Sequence, residues 1–120
     1  MDKMITNDNS NNLNTCSCLN GDFYFTNFIE DYIGVDNSFG EISTKQCKTC
    51  GRYWLRYYYV NEAYTGSGRW YCGHIEPNII SSITIDNAKD ILENLNWYYR
   101  GGSYFDGKIT KRSGALNLFP

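Results

Sequence analysis

The chain has 120 residues, of which 42% are hydrophobic and 20% charged, and its formal net charge is -2. This length suits one domain with a single core, and no run of about 18 apolar residues is present that would span a bilayer. The N-terminal residues lack the apolar stretch of a secretory signal, so we expect a soluble cytoplasmic protein with no membrane-spanning segment.

Charge is distributed unevenly along the chain. Residues 1–44 contain one basic and seven acidic side chains, whereas residues 45–120 contain ten basic and six acidic side chains. The basic residues are scattered rather than clustered, which argues against nucleic acid as a partner. The acidic first half suits a basic protein partner, although ordinary solvated acids explain it equally well.

The first part of the chain is expected to lead from a tail into the domain. Residues 1–14 are rich in Asn, Asp and Ser and contain little to bury, so we predict a disordered tail followed by a single domain at residues 15–120. Residues 21–32 follow neither the helical nor the strand period cleanly, which indicates a strand or irregular structure. Residues 34–40 are predicted as a loop, and residues 41–46 as a short strand that leads into Cys47.

Two further strands are predicted on either side of a glycine-bearing connection. Residues 52–60 are dense in aromatic residues that suit a pleated surface, and residues 69–75 form the next strand until Pro77 ends it. Alternation in the first of these strands places four side chains on one face, namely Tyr53, Leu55, Tyr57 and Tyr59. The other face takes Trp54, Arg56, Tyr58 and Val60, so both faces are expected to be amphipathic or covered.

A single helix is predicted in the C-terminal half of the chain. Asp86 is placed to cap its first turn, and Gly101-Gly102 ends it. Apolar residues recur between these limits at helical spacing: Ala88, Ile91, Leu92, Leu95 and Tyr98 or Tyr99. Beyond the helix, Asp106-Gly107 is typical of a type I′ hairpin turn between residues 103–105 and 108–110. These elements predict an α+β fold with a mainly antiparallel sheet of about five strands and one packed helix.

Four of the five cysteines form two tight pairs, Cys16-x-Cys18 and Cys47-x-x-Cys50-Gly51. Two such pairs brought together supply the four thiolates of a tetrahedral structural Zn²⁺ site, and the glycine turn lets backbone amides donate to the sulfurs. We therefore predict Cys16, Cys18, Cys47 and Cys50 as zinc ligands in a zinc-ribbon-like knuckle. A closed site of four sulfurs leaves no position for water or substrate, which argues against metal catalysis.

Two alternatives to this ligand set remain open. Cys-x-Cys is a less common half-site than Cys-x-x-Cys, so Cys16 and Cys18 are also consistent with free thiols near the chain end. In the second alternative, Cys72 and His74 replace them, since their spacing on a strand directs both side chains to one face. A cysteine beside a tryptophan such as Trp70, however, is typical of a small buried apolar residue.

Catalytic groupings are sparse. His74 is the only histidine, and neighbours two residues apart, such as Cys72 and His74, seldom meet in the geometry that activates a thiol. No glycine-rich phosphate loop follows a predicted strand. We therefore expect that the protein is not an enzyme. Its eleven tyrosines suit either a recognition surface for another protein or a core whose hydroxyls reach water.

An ordered set of motifs gives the chain a resemblance to a known group of proteins. The set is Cys16-x-Cys18, residues 39–43 (Phe-Gly-Glu-Ile-Ser), Cys47-x-x-Cys50-Gly51-x-x-Trp54-Leu55, residues 66–71 (Gly-Ser-Gly-Arg-Trp-Tyr) and residues 101–105 (Gly-Gly-Ser-Tyr-Phe). It resembles small bacterial zinc-ribbon-bearing immunity proteins encoded beside polymorphic or contact-dependent toxins. The resemblance implies a cytoplasmic inhibitor that binds one cognate toxin domain, and the four cysteines are the only site residues that it carries over.

Two functions are therefore considered. The first is a toxin-neutralising immunity protein with a structural zinc ion. The alternative is a zinc-ribbon nucleic-acid-binding or transcription-associated regulatory module. Such a module would use Arg52, Arg56, Arg69 and the neighbouring tyrosines for phosphate contact and base stacking.

Overall fold

A computed structural model describes residues 16–61, 63, 65–116 and 118, and the predicted tail at residues 1–14 lies outside this described part. The described chain forms a six-stranded antiparallel sheet in which strands that follow one another in sequence are also neighbours in space. The elements are β1 (Phe28–Val35), β2 (Glu41–Cys47), β3 (Tyr53–Tyr59), β4 (Arg69–Ile75), α1 (Ala88–Asn94), β5 (Tyr98–Gly101) and β6 (Thr110–Arg112). The mainly antiparallel α+β class is thus confirmed, with one strand more than predicted.

The region before β1 combines two conformations, which explains its mixed periodicity. A 3₁₀ turn at Phe25–Asn27 ends where β1 begins, and β1 extends into the predicted loop as far as Val35. The register of β1 against β2 shifts between Tyr32 and Gly34, so a bulge interrupts the two-residue alternation there. β2, β3 and β4 lie within one residue of their predicted limits.

The sheet has a core on each face, because alternation in its central strand β3 sends side chains to both sides. Leu55, Tyr57 and Tyr59 join the core that packs against Ala88 and Leu92 of α1. The opposite face holds a second core, formed by Cys16, Cys18, Phe28, Cys47, Trp54, Cys72 and Tyr99. The predicted division of the β3 side chains between two covered faces is confirmed.

The helix is shorter than predicted and begins differently. α1 ends at Asn94, whereas Tyr98 and Tyr99 belong to β5 rather than to a helical stripe. The predicted cap Asp86 is also wrong, since the N-cap is Asn87, which makes no side-chain capping hydrogen bond. The hydroxyl of Thr84 accepts the amide of Asn87 at 3.3 Å and the side-chain oxygen of Asn87 accepts the amide of Thr84 at 2.8 Å, so these two residues close the turn that precedes the helix.

The hairpin predicted around Asp106-Gly107 is present, but its first strand is β5 rather than residues 103–105. Asp106 and Gly107 both have positive φ, 57° and 75°, as a type I′ turn requires. Ser103–Phe105, predicted as a strand, forms a 3₁₀ turn, and the connection joins β5 to β6. Across the described residues, no helix is long and apolar enough to cross a membrane.

Candidate metal centre

The sulfur atoms of four cysteines converge on the second core of the sheet. Cys16 Sγ lies 3.6 Å from Cys47 Sγ, and Cys18 Sγ lies 3.6 Å from Cys50 Sγ. All four sulfurs lie within 4.8 Å of one another, and no disulfide joins them. The two predicted pairs, which are 31 and 32 residues apart in sequence, are therefore brought together.

The first pair is presented by a single 3₁₀ turn at Ser17–Asn20. The carbonyl of Cys16 accepts the amide of Leu19 at 2.9 Å, and that of Cys18 accepts the amide of Gly21 at 3.1 Å. Gly21 ends the turn in the left-handed region, with φ of 86°. This tight turn lets the short Cys-x-Cys spacing place both sulfurs on one side.

The second pair lies at the turn between β2 and β3. Cys47 is the last residue of β2, and its amide donates to the carbonyl of Arg52 at 2.8 Å while its carbonyl accepts the amide of Gly51 at 2.8 Å. Gly51 has φ of 80°, the conformation that the Cys-x-x-Cys-Gly pattern predicts. The amide of Arg52 donates to the sulfur of Cys50, and the amide of Cys18 donates to that of Cys16. The backbone donation predicted for the Cys-x-x-Cys-Gly turn is therefore present at Cys50, and Cys16 in the first pair receives a donor that was not predicted.

The thiols differ in acidity because their surroundings differ. Burial raises the pKa of Cys16, and burial followed by the neighbouring thiols raises that of Cys18. For Cys50, burial opposes ionisation, but hydrogen bonds from the backbone and side chain of Arg52 outweigh it and lower the pKa to about 7. Four crowded thiols cannot all ionise beside one another, whereas a cation among them would deprotonate them.

The dimensions of the cluster fit a tetrahedral metal ion. Zinc–sulfur bonds of about 2.3 Å in a tetrahedron separate the sulfurs by about 3.8 Å. Two of the separations here are 3.6 Å, and all lie within 4.8 Å, so small side-chain rotations suffice to reach that geometry. Cys16, Cys18 and Cys47 are buried and Cys50 is half-buried, which leaves little access for a water ligand.

The alternative ligands Cys72 and His74 do not belong to this cluster. They do share the predicted face of β4, where Cys72 lies in the second core and the His74 ring is 5.4 Å from that of Trp54. Burial raises the pKa of Cys72 to about 12 and lowers the pKa of His74. Cys72 therefore stays a neutral thiol and fills space between aromatic rings, as its neighbour Trp70 indicated.

An aromatic shell surrounds the cysteines on this face. The ring of Phe23 packs 4.9 Å from Trp54 and 5.6 Å from Trp70, both edge-on. The hydroxyl of Tyr99 donates to the carbonyl of Leu19 at 2.5 Å, which fastens the 3₁₀ turn of the first cysteine pair to β5. Neither residue was predicted at the site, since Phe23 lies in an irregular segment before β1 and only the pairing of Tyr99 with Cys72 brings Tyr99 to this face.

The arginines of the nucleic-acid alternative are only partly accessible. Arg69 is fully buried, with its guanidinium 3.6 Å from the ring centre of Tyr104, so it does not reach a phosphate backbone. Arg52 and Arg56 are half-buried. The structure thus contradicts the expectation that Arg69 contributes to such a surface.

Sequence reasoning also missed Lys45, a buried cation on the same face of β2 as Cys47. The sequence pattern could have indicated this position, because residues two apart on a strand share a face and Cys47 was predicted to point inward.

Comparisons of this chain with protein-family models, curated proteins and solved structures found no match. Function is therefore inferred from the chemistry of the chain itself.

Proposed function

We propose that this protein is a non-enzymatic binding protein whose fold is held by a structural Zn²⁺ ion on Cys16, Cys18, Cys47 and Cys50. The observation that carries the proposal is the set of four sulfurs within 4.8 Å of one another. Thiolates select soft and borderline cations over Mg²⁺ or Ca²⁺, and four-cysteine tetrahedral sites are characteristic of structural zinc. With every position filled by sulfur, the ion holds the chain and has no site for a reacting molecule.

Such an ion would connect two segments that are far apart in sequence. It links the turn at Ser17–Asn20 to the β2–β3 hairpin, and Phe28 and Trp54 belong to the same second core, with Phe23 packed against it. Binding energy at a site that forms only on folding contributes directly to folding free energy. The metal and the aromatic shell therefore stabilise the same face together.

We further propose that the partner is a bacterial toxin domain, which the protein neutralises in the cytoplasm. The motif order that resembles zinc-ribbon-bearing immunity proteins supports this partner. The edge strand β1 and its flanks supply a suitable surface, since large apolar side chains are exposed at Tyr24, Phe25, Ile29, Tyr32, Val35 and Phe39. Exposed apolar groups along an unpaired strand edge favour interaction with another protein. Asp31 and Glu41, exposed nearby, add negative charge that suits a basic partner.

A growth assay tests the toxin proposal. The C-terminal domain encoded by the gene upstream of this one is expressed in a heterologous bacterium, with and without the present chain. We expect growth arrest by the domain alone and rescue by co-expression, with a complex that co-purifies. Arrest that persists despite folded, co-expressed protein would rule out neutralisation of that domain.

A matched pair of variants tests the proposed surface. Tyr32→Asp introduces a charge at an exposed position of β1, and Ser113→Asp introduces the same charge at an exposed position just after β6, at the opposite edge of the sheet. We expect Tyr32→Asp to weaken complex formation by about tenfold or more, since buried aromatic anchors dominate interfaces. Ser113→Asp should bind as the wild type does. Equal effects of the two variants would place the interface elsewhere.

A further inference from the structure

A cleft of about 780 Å³ opens on the cysteine-bearing face of the sheet, apart from the four sulfurs. The segment 20–25, which follows the first cysteine pair, forms one wall, and β1 to β4 contribute the floor. The floor and walls include Phe23, Glu30, Lys45, Arg56, Trp70 and Cys72. A volume of this size is within the range of about 300–1,000 Å³ found for small-ligand sites.

Lys45 lines this cleft, and its ammonium group makes no hydrogen bond to the described residues. Its side chain is only 6% exposed, and its nearest acid is Glu30, with Nζ 4.0 Å from Oε1. The ring of Phe28 lies 5.2 Å away, and no described residue accepts a hydrogen bond from Nζ. Nζ is not one of the fully enclosed polar atoms without a partner, so its three donors reach the cleft, where an anion can accept hydrogen bonds from them.

The charges of the floor define what kind of anion fits. Lys45 and Arg56 are opposed there by Glu30, whose second oxygen already accepts the hydroxyl of Ser43 at 2.5 Å. Asp22 lines the rim but is exposed, and one of its oxygens accepts the amide of Tyr24 at 3.3 Å. Glu30 and Asp22 are exposed, whereas Lys45 is buried and Arg56 is half-buried, so water screens the two negative charges more than the two positive ones. The inner part of the cleft therefore suits a single negative charge such as a carboxylate.

The remaining walls are apolar and flat. Phe23 and Trp70 pack edge-on at 5.6 Å, and the thiol of Cys72 between the strands is neutral and buried. At the mouth, Tyr24 is 61% and Phe25 is 69% exposed, so two aromatic rings border the opening. Aromatic side chains around a few convergent polar groups are the usual composition of a ligand pocket.

We propose that this cleft binds a carboxylate attached to a flat apolar group, with the carboxylate on Lys45 and Arg56 and the apolar group against Phe23 and Trp70. The site is separate from the cysteine cluster and does not depend on the proposed toxin partner. The carboxylate can belong to a free small molecule or to the C-terminal residue of a peptide, since both present the same chemistry.

Calorimetric titration of the full zinc-loaded chain tests this proposal with two nearly isosteric probes. N-acetyl-L-phenylalanine carries the carboxylate, whereas N-acetyl-L-phenylalaninamide replaces it with a neutral amide. We expect the carboxylate probe to bind about tenfold or more tightly, because charge-assisted hydrogen bonds form only with the anion. Equal affinity for both probes, or no detectable binding of the carboxylate probe at millimolar concentration, would overturn the proposal. This comparison uses the wild-type chain and needs no variant to fold.

A second comparison assigns the effect to Lys45. Lys45→Met keeps the length of the side chain and removes its charge, and Lys108→Met makes the same change at an exposed position outside the cleft. We expect Lys45→Met to abolish the preference for the carboxylate and Lys108→Met to retain it. A folded Lys45→Met protein that keeps the full preference would contradict the assignment.

A third probe distinguishes the two sources of the carboxylate. A pentapeptide that ends in phenylalanine with a free C-terminus is compared with N-acetyl-L-phenylalanine on the same protein. Tighter binding of the peptide identifies a polypeptide terminus as the natural occupant, and weaker or equal binding identifies a small molecule. Failure of both to bind would contradict the proposed chemistry.

Discussion

Gly40 lies where the β1–β2 turn touches the buried ring of Tyr57. A Cβ atom on Gly40 would be 2.0 Å from Tyr57 Cζ. The ring has no exposed surface, and its hydroxyl donates to Asp36 Oδ2 at 2.6 Å. Asp36 Oδ1 also accepts the amides of Ser38 and Gly40, each at 2.9 Å, so one carboxylate organises the whole turn.

Gly40→Ala is therefore expected to destabilise the protein strongly. The added methyl group must displace the ring and its hydrogen bond, and we expect a loss of about 3 kcal/mol in the free energy of unfolding. Urea denaturation provides the measurement. Tyr57→Phe is the control, since it removes the hydroxyl alone and should cost about 1–2 kcal/mol. If Gly40→Ala costs no more than Tyr57→Phe, the close approach at Gly40 is not as tight as described.

Cys18 and Cys72 separate the proposed ligand set from its alternative. Cys18 has its sulfur 3.6 Å from that of Cys50, whereas Cys72 is outside the cluster. We expect Cys18→Ala to lower the zinc bound per chain markedly. Cys72→Ala should leave zinc content unchanged and cost about 1–2 kcal/mol of stability, because it removes only buried apolar volume. Loss of zinc from Cys72→Ala with full retention in Cys18→Ala would identify Cys72 as a ligand instead.

Glu93 joins helix α1 to the C-terminal segment at Leu116. Its Oε2 accepts the amide of Leu116 at 2.9 Å and pairs with Lys89 Nζ at 2.9 Å. Burial raises the pKa of Glu93, but the Leu116 amide and Lys89 outweigh this and hold it below the ordinary value of 4.5. A carboxyl whose pKa is lowered by folding stabilises the protein above its ordinary pKa, and this contribution is lost as pH falls through the folded value.

Glu93→Gln therefore has a predicted pH dependence. At neutral pH we expect the variant to lose about 1 kcal/mol in the free energy of unfolding, since glutamine retains an acceptor for Leu116 but not the charge that Lys89 pairs with. The difference should shrink as the pH falls below 4.5 and through the lowered pKa of the folded carboxyl. Urea denaturation over a series of pH values from neutral to acid measures it. A difference that grows on acidification would mean that the sign of the pKa shift is wrong.

The strands were easier to predict than the helix for a physical reason. Both faces of β3 are covered, so residues 53–59 form a nearly continuous run of aromatic and apolar side chains that favours a strand. Tyr98 and Tyr99 fit both a helical stripe and a strand, and pairing of Tyr99 with Cys72 decides in favour of β5. Such a long-range partner is not visible in local sequence. Asp86 likewise failed as the expected cap, because the turn from Thr84 to Asn87 makes Asn87 the N-cap of the helix.

The metal site and the cleft also differ in how far their residues could be predicted from the sequence. The cysteine cluster could be predicted because two pairs of one soft residue type, each in a tight turn, are enough to indicate its chemistry. The cleft could not, because its floor is assembled across four strands. Glu30 pairs with Lys45 only through the β1–β2 register, and Arg56 reaches the same face through pairing with Ser43.

The sheet carries one core on each face, and the two cores differ in composition. The face toward α1 is closed by aliphatic and tyrosine side chains, whereas the opposite face depends on the cysteine-bearing segment before β1. Removal of the metal should therefore loosen the second face first. Hydrogen exchange after treatment with a chelator is expected to increase in residues 16–27 and to change little in α1. Uniform protection on both faces after complete metal removal would show that the second core holds without the ion.

The most direct measurement of the central claim is the zinc content per chain of the purified protein and of the Cys16→Ser/Cys18→Ser double variant, by native mass spectrometry. Ligation by Cys16, Cys18, Cys47 and Cys50 predicts one ion in the wild-type protein and little or none in the double variant. The account is contradicted if the double variant retains a full equivalent, or if the wild-type chain is metal-free and remains folded in the presence of a chelator.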